Sequence, residues 1–144
     1  MPTKSRKWFV DTNVLLDIAS DAREEFHDNA ILFYEAVSKS DVKLYVSVAV
    51  LKDVYYLLCR NYCDKAEARE AVRFFMNTFT IVDLTEAMAE KALDSDEPDF
   101  EDGLIRVSAE ICECKYIVSR DVKAFKNGNA KRLEPLEAYQ LLTK

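Results

Sequence analysis

Five aspartates of this 144-residue chain occur where a carboxylate could do chemistry: Asp11, Asp53, Asp99, Asp102 and Asp121. Asp11 and Asp121 each follow a short apolar run, Trp8-Phe9-Val10 and Tyr116-Ile117-Val118, that is typical of a buried strand. If these strands are parallel neighbours, both carboxylates lie at the carboxyl edge of the sheet, where open α/β folds build their sites. Taken alone, Asp11 is more simply a helix cap, so a site requires that other acids converge on it.

Asp53 lies three residues after Val50 and four residues before Leu57, which places it on the apolar face of a predicted helix. An unpaired buried carboxylate is costly, so a metal, another cation or a solvated cleft would explain it. The alternative, that Asp53 lies at the edge of the apolar stripe and reaches water, stays open.

A later helix carries Asp99 and Asp102. Pro98 discourages helical geometry at Glu97, so this helix is expected to begin at or after Asp99. Acidic residues are common in a first helical turn because they meet the positive end of the helix dipole. Asp99 and Asp102 also share the inward apolar face of the helix, whereas Glu101 falls off that face and is expected to face solvent.

The chemistry of such a cluster follows from its charge. Several carboxylates at close range cannot all ionise in a dry site unless something positive joins them. Oxygen-rich sites without Cys or His suit Mg²⁺ or Mn²⁺, which keep several waters and use few protein carboxylates. A site of this kind activates water and neutralises charge that develops on a phosphate, as in metal-dependent nucleases.

The elements that must position these acids alternate along the chain. Strands are predicted over residues 8–10, 43–46, 79–82, 115–118 and 131–133, and helices over 14–18, 22–39, 48–58, 64–77, 85–93, 99–112 and 135–142. Ser47, Asp64 and Thr85 are predicted helix caps. Strands separated by helices of about ten residues are typical of a parallel sheet covered on both faces, here in one domain over residues 1–144.

Composition excludes several other classes of protein. Two glycines cannot build a phosphate-cradling loop, and four cysteines with one His match no zinc or disulfide pattern. The net charge of -6 argues against nucleic-acid binding by the whole surface, although six basic residues between Lys115 and Arg132 form a local basic rim. The polar run Met1 to Lys7 and the absence of a long apolar run lead us to expect a cytoplasmic protein without a membrane span.

Four segments in order carry a family resemblance: the strand ending in Asp11-Thr12-Asn13, the acid of Ser47-Val48-Ala49-Val50-Leu51-Lys52-Asp53, the helix start Asp99-Phe100-Glu101-Asp102, and Ile117-Val118-Ser119-Arg120-Asp121 to Phe125. Together they resemble the PIN-domain ribonucleases, and more narrowly the VapC-type toxins of bacterial toxin-antitoxin pairs. The resemblance spans essentially the whole chain. It implies a three-layer α/β/α fold with a mostly parallel five-stranded sheet, an acidic site at the carboxyl edge, bound Mg²⁺ or Mn²⁺, an RNA substrate, a homodimer, and an antitoxin that blocks the site.

The resemblance also implies roles for individual residues. Asp11, Asp102 and Asp121 match the metal-site carboxylates, with Asp99 an additional acid ranked below Asp102. Asp53 stands where the family usually has Glu and is one methylene shorter, so its metal contact could run through water or be missing. Asn13 and Ser119 match polar orienting positions, capping or backbone bonding being the alternative. Independently of the resemblance, the charges of Arg120, Lys123 and Lys126 would hold the RNA backbone against the repulsion of the acidic surface.

Two rivals belong to other classes. A catalytically weak or inactive module of the same fold, which binds RNA or protein through a merely solvated acidic edge, is kept open by the Asp53 replacement. A phosphoacceptor signalling domain is disfavoured, because that class places paired acids after its first strand and a Lys after a late one. Here Asp11 is followed by Thr12-Asn13, and Ser119 by Arg120-Asp121.

Overall fold

The computed structural model describes residues 6–144. Within that range, five strands form one sheet in the order β3-β2-β1-β4-β5, and every pairing is parallel. The strands are β1 (Lys7–Val10), β2 (Lys43–Ser47), β3 (Thr80–Val82), β4 (Tyr116–Val118) and β5 (Lys131–Leu133). The predicted parallel five-stranded sheet is confirmed. The expectation drawn from the polar N-terminus falls mostly on residues 1–5, outside the described residues.

Helices cover both faces of this sheet. They are α1 (Thr12–Ala19), α2 (Glu25–Ser38), α3 (Val48–Asn61), α4 (Lys65–Thr78), α5 (Glu86–Leu93), α6 (Phe100–Ile111) and α7 (Pro135–Leu142). Helix α5 packs on α6, which contacts β1, β2 and β4, while α7, α2, α1, α3 and α4 contact one another in that order. The three-layer α/β/α arrangement is therefore as predicted. None of the described helices has the length and hydropathy to cross a membrane.

The predicted helix caps are present. The Ser47 hydroxyl accepts the amide hydrogen of Val50 at 3.2 Å and begins α3. Asp64 and Glu67 form a reciprocal capping box at the start of α4, and Thr85 caps α5 through its side chain. Each cap satisfies a backbone amide that lacks a helical partner, which is why these boundaries follow from local sequence.

The helix predicted over residues 22–39 is wrong at its start. A short 3-10 helix, Asp21–Arg23, comes first, and Glu24 then adopts a left-handed φ of 56° before α2 begins at Glu25. The Ser20 side chain caps the 3-10 turn. Phe26, expected on the inward face, is 48% exposed and lies under the guanidinium of Arg120.

The central strand β1 sets the position of the acidic edge. Phe9 and Val10 are fully buried, and Val10 is paired in register with Val118 of β4. The amide of Asp11 extends this ladder by donating to the Val118 carbonyl oxygen at 3.0 Å. The residues that follow β1 and β4 consequently emerge side by side at the carboxyl edge of the sheet.

Candidate active site

Asp11 is both a helix cap and the buried acid at the centre of this edge. Its Oδ1 accepts the amide hydrogen of Thr12 at 2.7 Å. Its Oδ2 accepts the Ser119 hydroxyl at 2.6 Å and the Asn13 side-chain amide at 3.3 Å. Burial raises the pKa of Asp11 above its ordinary value, and the hydrogen bonds from Ser119 and Thr12 oppose that rise. The two interpretations of Asp11 from sequence are thus compatible.

Ser119 joins Asp11 to Asp121. The Ser119 side chain is fully buried, and its Oγ accepts the amide hydrogen of Asp121 at 3.0 Å while its own proton points to Asp11. Asn13 adds a second link, since its Oδ1 accepts the Arg120 amide hydrogen at 3.3 Å. Both predicted orienting side chains therefore bind groups at the carboxyl ends of neighbouring strands β1 and β4.

Asp102 reaches the same place from the first turn of α6. It is buried, and its pKa is raised to about 7, first by burial and then by the charges of Asp99, Asp11 and Asp121. Asp99 is the exposed N-cap of α6 and accepts the Asp102 amide hydrogen at 2.8 Å. The expectation that Asp99 shares the inward face of the helix is wrong. Asp99 is the cap residue before the helix, so its side chain does not follow the helical spacing.

Asp53 lies at the rim of the cluster. Its side chain is 22% exposed, and the Lys52 ammonium lies 3.1 Å from its Oδ1. That hydrogen bond and ion pair raise the pKa of Lys52. The sequence left open whether Asp53 is buried on the apolar face or reaches water at the edge of the apolar stripe. The structure places it at the edge.

Glu101 is a residue that sequence reasoning set aside. It is exposed as expected, yet it borders the same cleft as Asp53, and burial followed by the charge of Asp53 raises its pKa. Asp53 belongs to α3 and Glu101 to α6, so only tertiary packing brings them together. The helical spacing within either segment does not predict that the two residues lie close together.

Arg120 does not extend toward solvent. Its guanidinium contacts the carboxylate of Asp17, which is 0% exposed and also pairs with Arg23. The Arg120 Cζ lies 3.8 Å from the ring centroid of Phe26. Arg120 therefore forms an ion pair within the protein, and its RNA contact stays a prediction. Asp17 was missed, although it follows Val14 by three residues, the same phase that singled out Asp53.

Lys123 and Lys126 are exposed on the loop that follows Asp121. The loop is held from beneath, since the Phe125 amide donates to Glu97 Oε1 at 2.7 Å and Arg106 lies 3.1 Å from the other oxygen of Glu97. These two lysines keep the solvent access that a contact with a phosphate backbone requires.

The carboxylate oxygens of this cluster are the ligands available to a hard divalent cation. Among residues 6–144, no group of three or more Asp, Glu, His or Cys side chains could hold a metal ion as it stands. Mg²⁺ commonly takes only one or two carboxylates directly and keeps several waters. The buried carboxyls of Asp11 and Asp102, with Asp121 beside them, offer oxygen ligands and mutual repulsion that a cation would relieve. These residues fit a cation that keeps part of its hydration shell better than a cation that is coordinated by protein atoms alone.

Comparison with known proteins agrees with the fold described above. The chain resembles Mycobacterium tuberculosis VapC20, a sarcin-ricin loop cleaving toxin, with a TM-score of 0.67 and 19% identity, covering 79% of this chain and 89% of that one. It resembles VapBC2 of Rickettsia felis bound to promoter DNA, with a TM-score of 0.64 and 16% identity, covering 89% of this chain and 98% of that one. It also resembles a Klebsiella pneumoniae toxin-antitoxin complex, with a TM-score of 0.63 and 21% identity, covering 90% of this chain and 98% of that one.

At these identities the solved structures establish the fold, and no curated protein matches the chain significantly in sequence. The family model for the PIN domain matches residues 7–123, a range that begins with β1 and includes every acid of the cluster. The chain therefore belongs to the PIN domain family.

Proposed function

We propose that this protein is a cytoplasmic, Mg²⁺- or Mn²⁺-dependent endoribonuclease, the toxin of a toxin-antitoxin pair, with its single catalytic domain over residues 1–144. The observation that carries the proposal is the convergence of Asp11, Asp102 and Asp121 from β1, α6 and the end of β4. Membership of the PIN domain family and the similarity of the fold to toxins support it.

Asp11, Asp102 and Asp121 would hold a hydrated cation, in part through its coordinated waters, because they do not form a closed set of three ligands as they stand. Asp99 would add charge from the rim. The bound cation would supply a water of lowered pKa and neutralise charge on the phosphodiester. Ser119 and Asn13 orient the Asp11 carboxylate, because both donate to its Oδ2. Asp53, at the rim and paired with Lys52, would contact the cation through a coordinated water.

Lys123 and Lys126 would bind the RNA backbone. Both are exposed immediately after Asp121, and a phosphate chain approaching a cluster of carboxylates needs compensating positive charge. The proposed substrate is RNA rather than any other phosphodiester because the relative with a stated target cleaves the sarcin-ricin loop.

The proposed protein partners are an antitoxin and a second copy of this chain. We assign an antitoxin as the partner because solved relatives are toxin-antitoxin complexes, and a homodimer because the family resemblance implies one. Co-expression with the product of the adjacent reading frame, followed by purification, tests the first; light scattering of the purified chain tests the second.

The decisive experiment for activity is Asp11→Asn. Purified wild-type protein should cleave RNA with Mg²⁺ or Mn²⁺ and lose cleavage in EDTA. The Asp11→Asn variant should lose about 10²-fold or more of the rate, since a primary ligand carries both cation and transition-state charge. Asp28→Asn, an exposed acid on α2, serves as the matched control. Unchanged metal-dependent cleavage by Asp11→Asn would sink the assignment.

A second candidate is a noncatalytic module of the same fold. It is favoured by one observation: the Lys52 ammonium lies 3.1 Å from Asp53 Oδ1, so a side chain of the protein already compensates the charge of Asp53. A Mn²⁺ titration of thermal stability distinguishes the candidates, because a cation that binds the native state raises the melting temperature. A rise in the wild type that is lost in Asp11→Asn supports the nuclease; no rise in either supports the module.

A further inference from the structure

A cleft of about 650 Å³ opens beside the acidic cluster. Thr12 is one of its lining residues, and the amide of Thr12 donates to Asp11 at 2.7 Å, so the cleft borders the acidic cluster at which a phosphate would be cleaved. Helix α3 forms the wall through Tyr55 and Tyr56, and Glu101 of α6 lies at the edge. Its volume is within the range of about 300–1,000 Å³ typical of sites for small organic groups.

Tyr56 presents an unusual surface in this cleft. Its side chain is 56% exposed, although a large aromatic ring gains from burial. Arg60 Nη1, one helical turn later, donates to Tyr56 Oη at 3.1 Å, so a guanidinium lies beside the exposed ring. An exposed aromatic face beside a guanidinium is a platform on which unpaired nucleobases stack.

The charges of the cleft restrict what can occupy it. Asp53 and Glu101 both border it, with Lys52 as the cation among its lining residues. Because Lys52 pairs with Asp53, the carboxylate of Glu101 leaves the cleft with a net negative charge. That charge repels a phosphate group, whereas a carboxylate accepts hydrogen bonds from the amino group of a base, as from cytosine N4. A neutral, planar group with amino donors fits this combination better than a phosphate or an acidic peptide.

We propose that the cleft is a nucleobase subsite, in which the base of a nucleotide adjacent to the scissile phosphate stacks on Tyr56 and donates to Glu101 or Asp53. This inference rests on the proposed function, since it requires RNA at the acidic cluster. It defines the substrate further: the RNA must be single-stranded at this position, with the base unstacked from its neighbours.

The test uses cytidine 5′-monophosphate, uridine 5′-monophosphate and ribose 5-phosphate, titrated into the protein with Mg²⁺ and followed by amide chemical shifts. Cytidine monophosphate should bind tightest, and Tyr56→Ala should weaken it about tenfold while leaving ribose 5-phosphate unchanged. Tyr56→Phe should restore binding, because the ring remains. Phe74→Ala, an exposed aromatic on α4 outside the cleft, is the matched control.

Each alternative result is informative. Equal affinities for cytidine monophosphate and ribose 5-phosphate would overturn the stacking, and equal affinities for the two nucleotides would overturn the carboxylate contact. In cleavage of a single-stranded RNA, Tyr56→Ala should raise KM more than it lowers kcat. If Asp11→Asn abolishes cleavage and Tyr56→Ala behaves as Phe74→Ala does, the subsite fails while the nuclease stands; if Asp11→Asn cleaves normally, the proposed function fails first.

Discussion

The guanidinium of Arg120 holds the buried carboxylate of Asp17 at two points, with Nε 2.6 Å from Oδ2 and Nη2 3.2 Å from Oδ1. Arg120 lies between Ser119 and Asp121 in the chain. The ion pair therefore draws the Arg120 side chain away from the acidic cluster and anchors the segment that carries Ser119 and Asp121 to α1. Arg120, which the sequence predicts to contact RNA, thus joins this segment to α1 through an ion pair.

The first prediction concerns this ion pair. Arg120→Ala should lower the free energy of unfolding by about 2 kcal/mol or more, because among residues 6–144 Asp17 would keep Arg23 alone as an ion-pair partner, which leaves buried charge under-compensated. Lys123→Ala, three residues further along the chain, should change it by less than about 0.5 kcal/mol. Urea denaturation of both variants measures the difference. Equal stability of Arg120→Ala and wild type would show that the contact contributes nothing.

A second prediction follows from the pKa of Asp102, which is raised from 3.8 to about 7. A carboxyl group with a raised folded-state pKa contributes stability below its unfolded pKa and loses that contribution as pH rises through the folded pKa. Without metal, wild type should thus lose stability relative to Asp102→Asn between pH 4 and pH 7. Urea denaturation in EDTA at pH 5 and pH 8 tests this; an identical difference at both pH values would contradict it.

Metal binding should show the opposite pH dependence. The carboxyls of Asp11 and Asp102 have raised pKa values and must be deprotonated to bind a cation, so binding releases protons. The rise in melting temperature produced by Mg²⁺ should therefore be larger at pH 8 than at pH 5.5. Thermal unfolding at matched ionic strength measures it. A larger rise at pH 5.5 would be incompatible with a site built on these two acids.

Sequence predicted the features that depend on local patterns. Apolar runs located the strands, and single polar residues such as Ser47 and Thr85 located helix starts, because each satisfies a backbone group nearby. The left-handed Glu24 was not predictable, since nothing local distinguishes it from a helical Glu.

The residues of the site also fall into those that a local pattern places and those that tertiary packing places. Asp11 and Asp121 could be placed at one edge because they follow neighbouring strands in one sheet. The pairing of Arg120 with Asp17, 103 residues apart in the chain, and the meeting of Asp53 with Glu101 depend on how helices pack on the sheet. Helical phase gives the face of a residue but does not give its partner.

The last prediction tests Ser119 as a positioning residue. Its Oγ bridges Asp11 and the Asp121 amide, so Ser119→Ala frees Asp11 to rotate and removes an acceptor from the turn that carries Asp121. Loss of such a supporting contact commonly costs about 10- to 100-fold in metal affinity or activity. We expect a lower kcat and a higher Mg²⁺ requirement, with KM for RNA nearly unchanged.

Ser108→Ala provides the matched control for this variant. Ser108 is as fully buried as Ser119, and its hydroxyl donates to the Leu104 carbonyl oxygen at 2.7 Å within α6, away from the bridge between Asp11 and Asp121. If the role of Ser119 were only structural, both variants would lose similar stability and retain similar activity per folded molecule. A selective loss of kcat and metal affinity in Ser119→Ala, at a melting temperature close to that of Ser108→Ala, would identify positioning of the acids as its function.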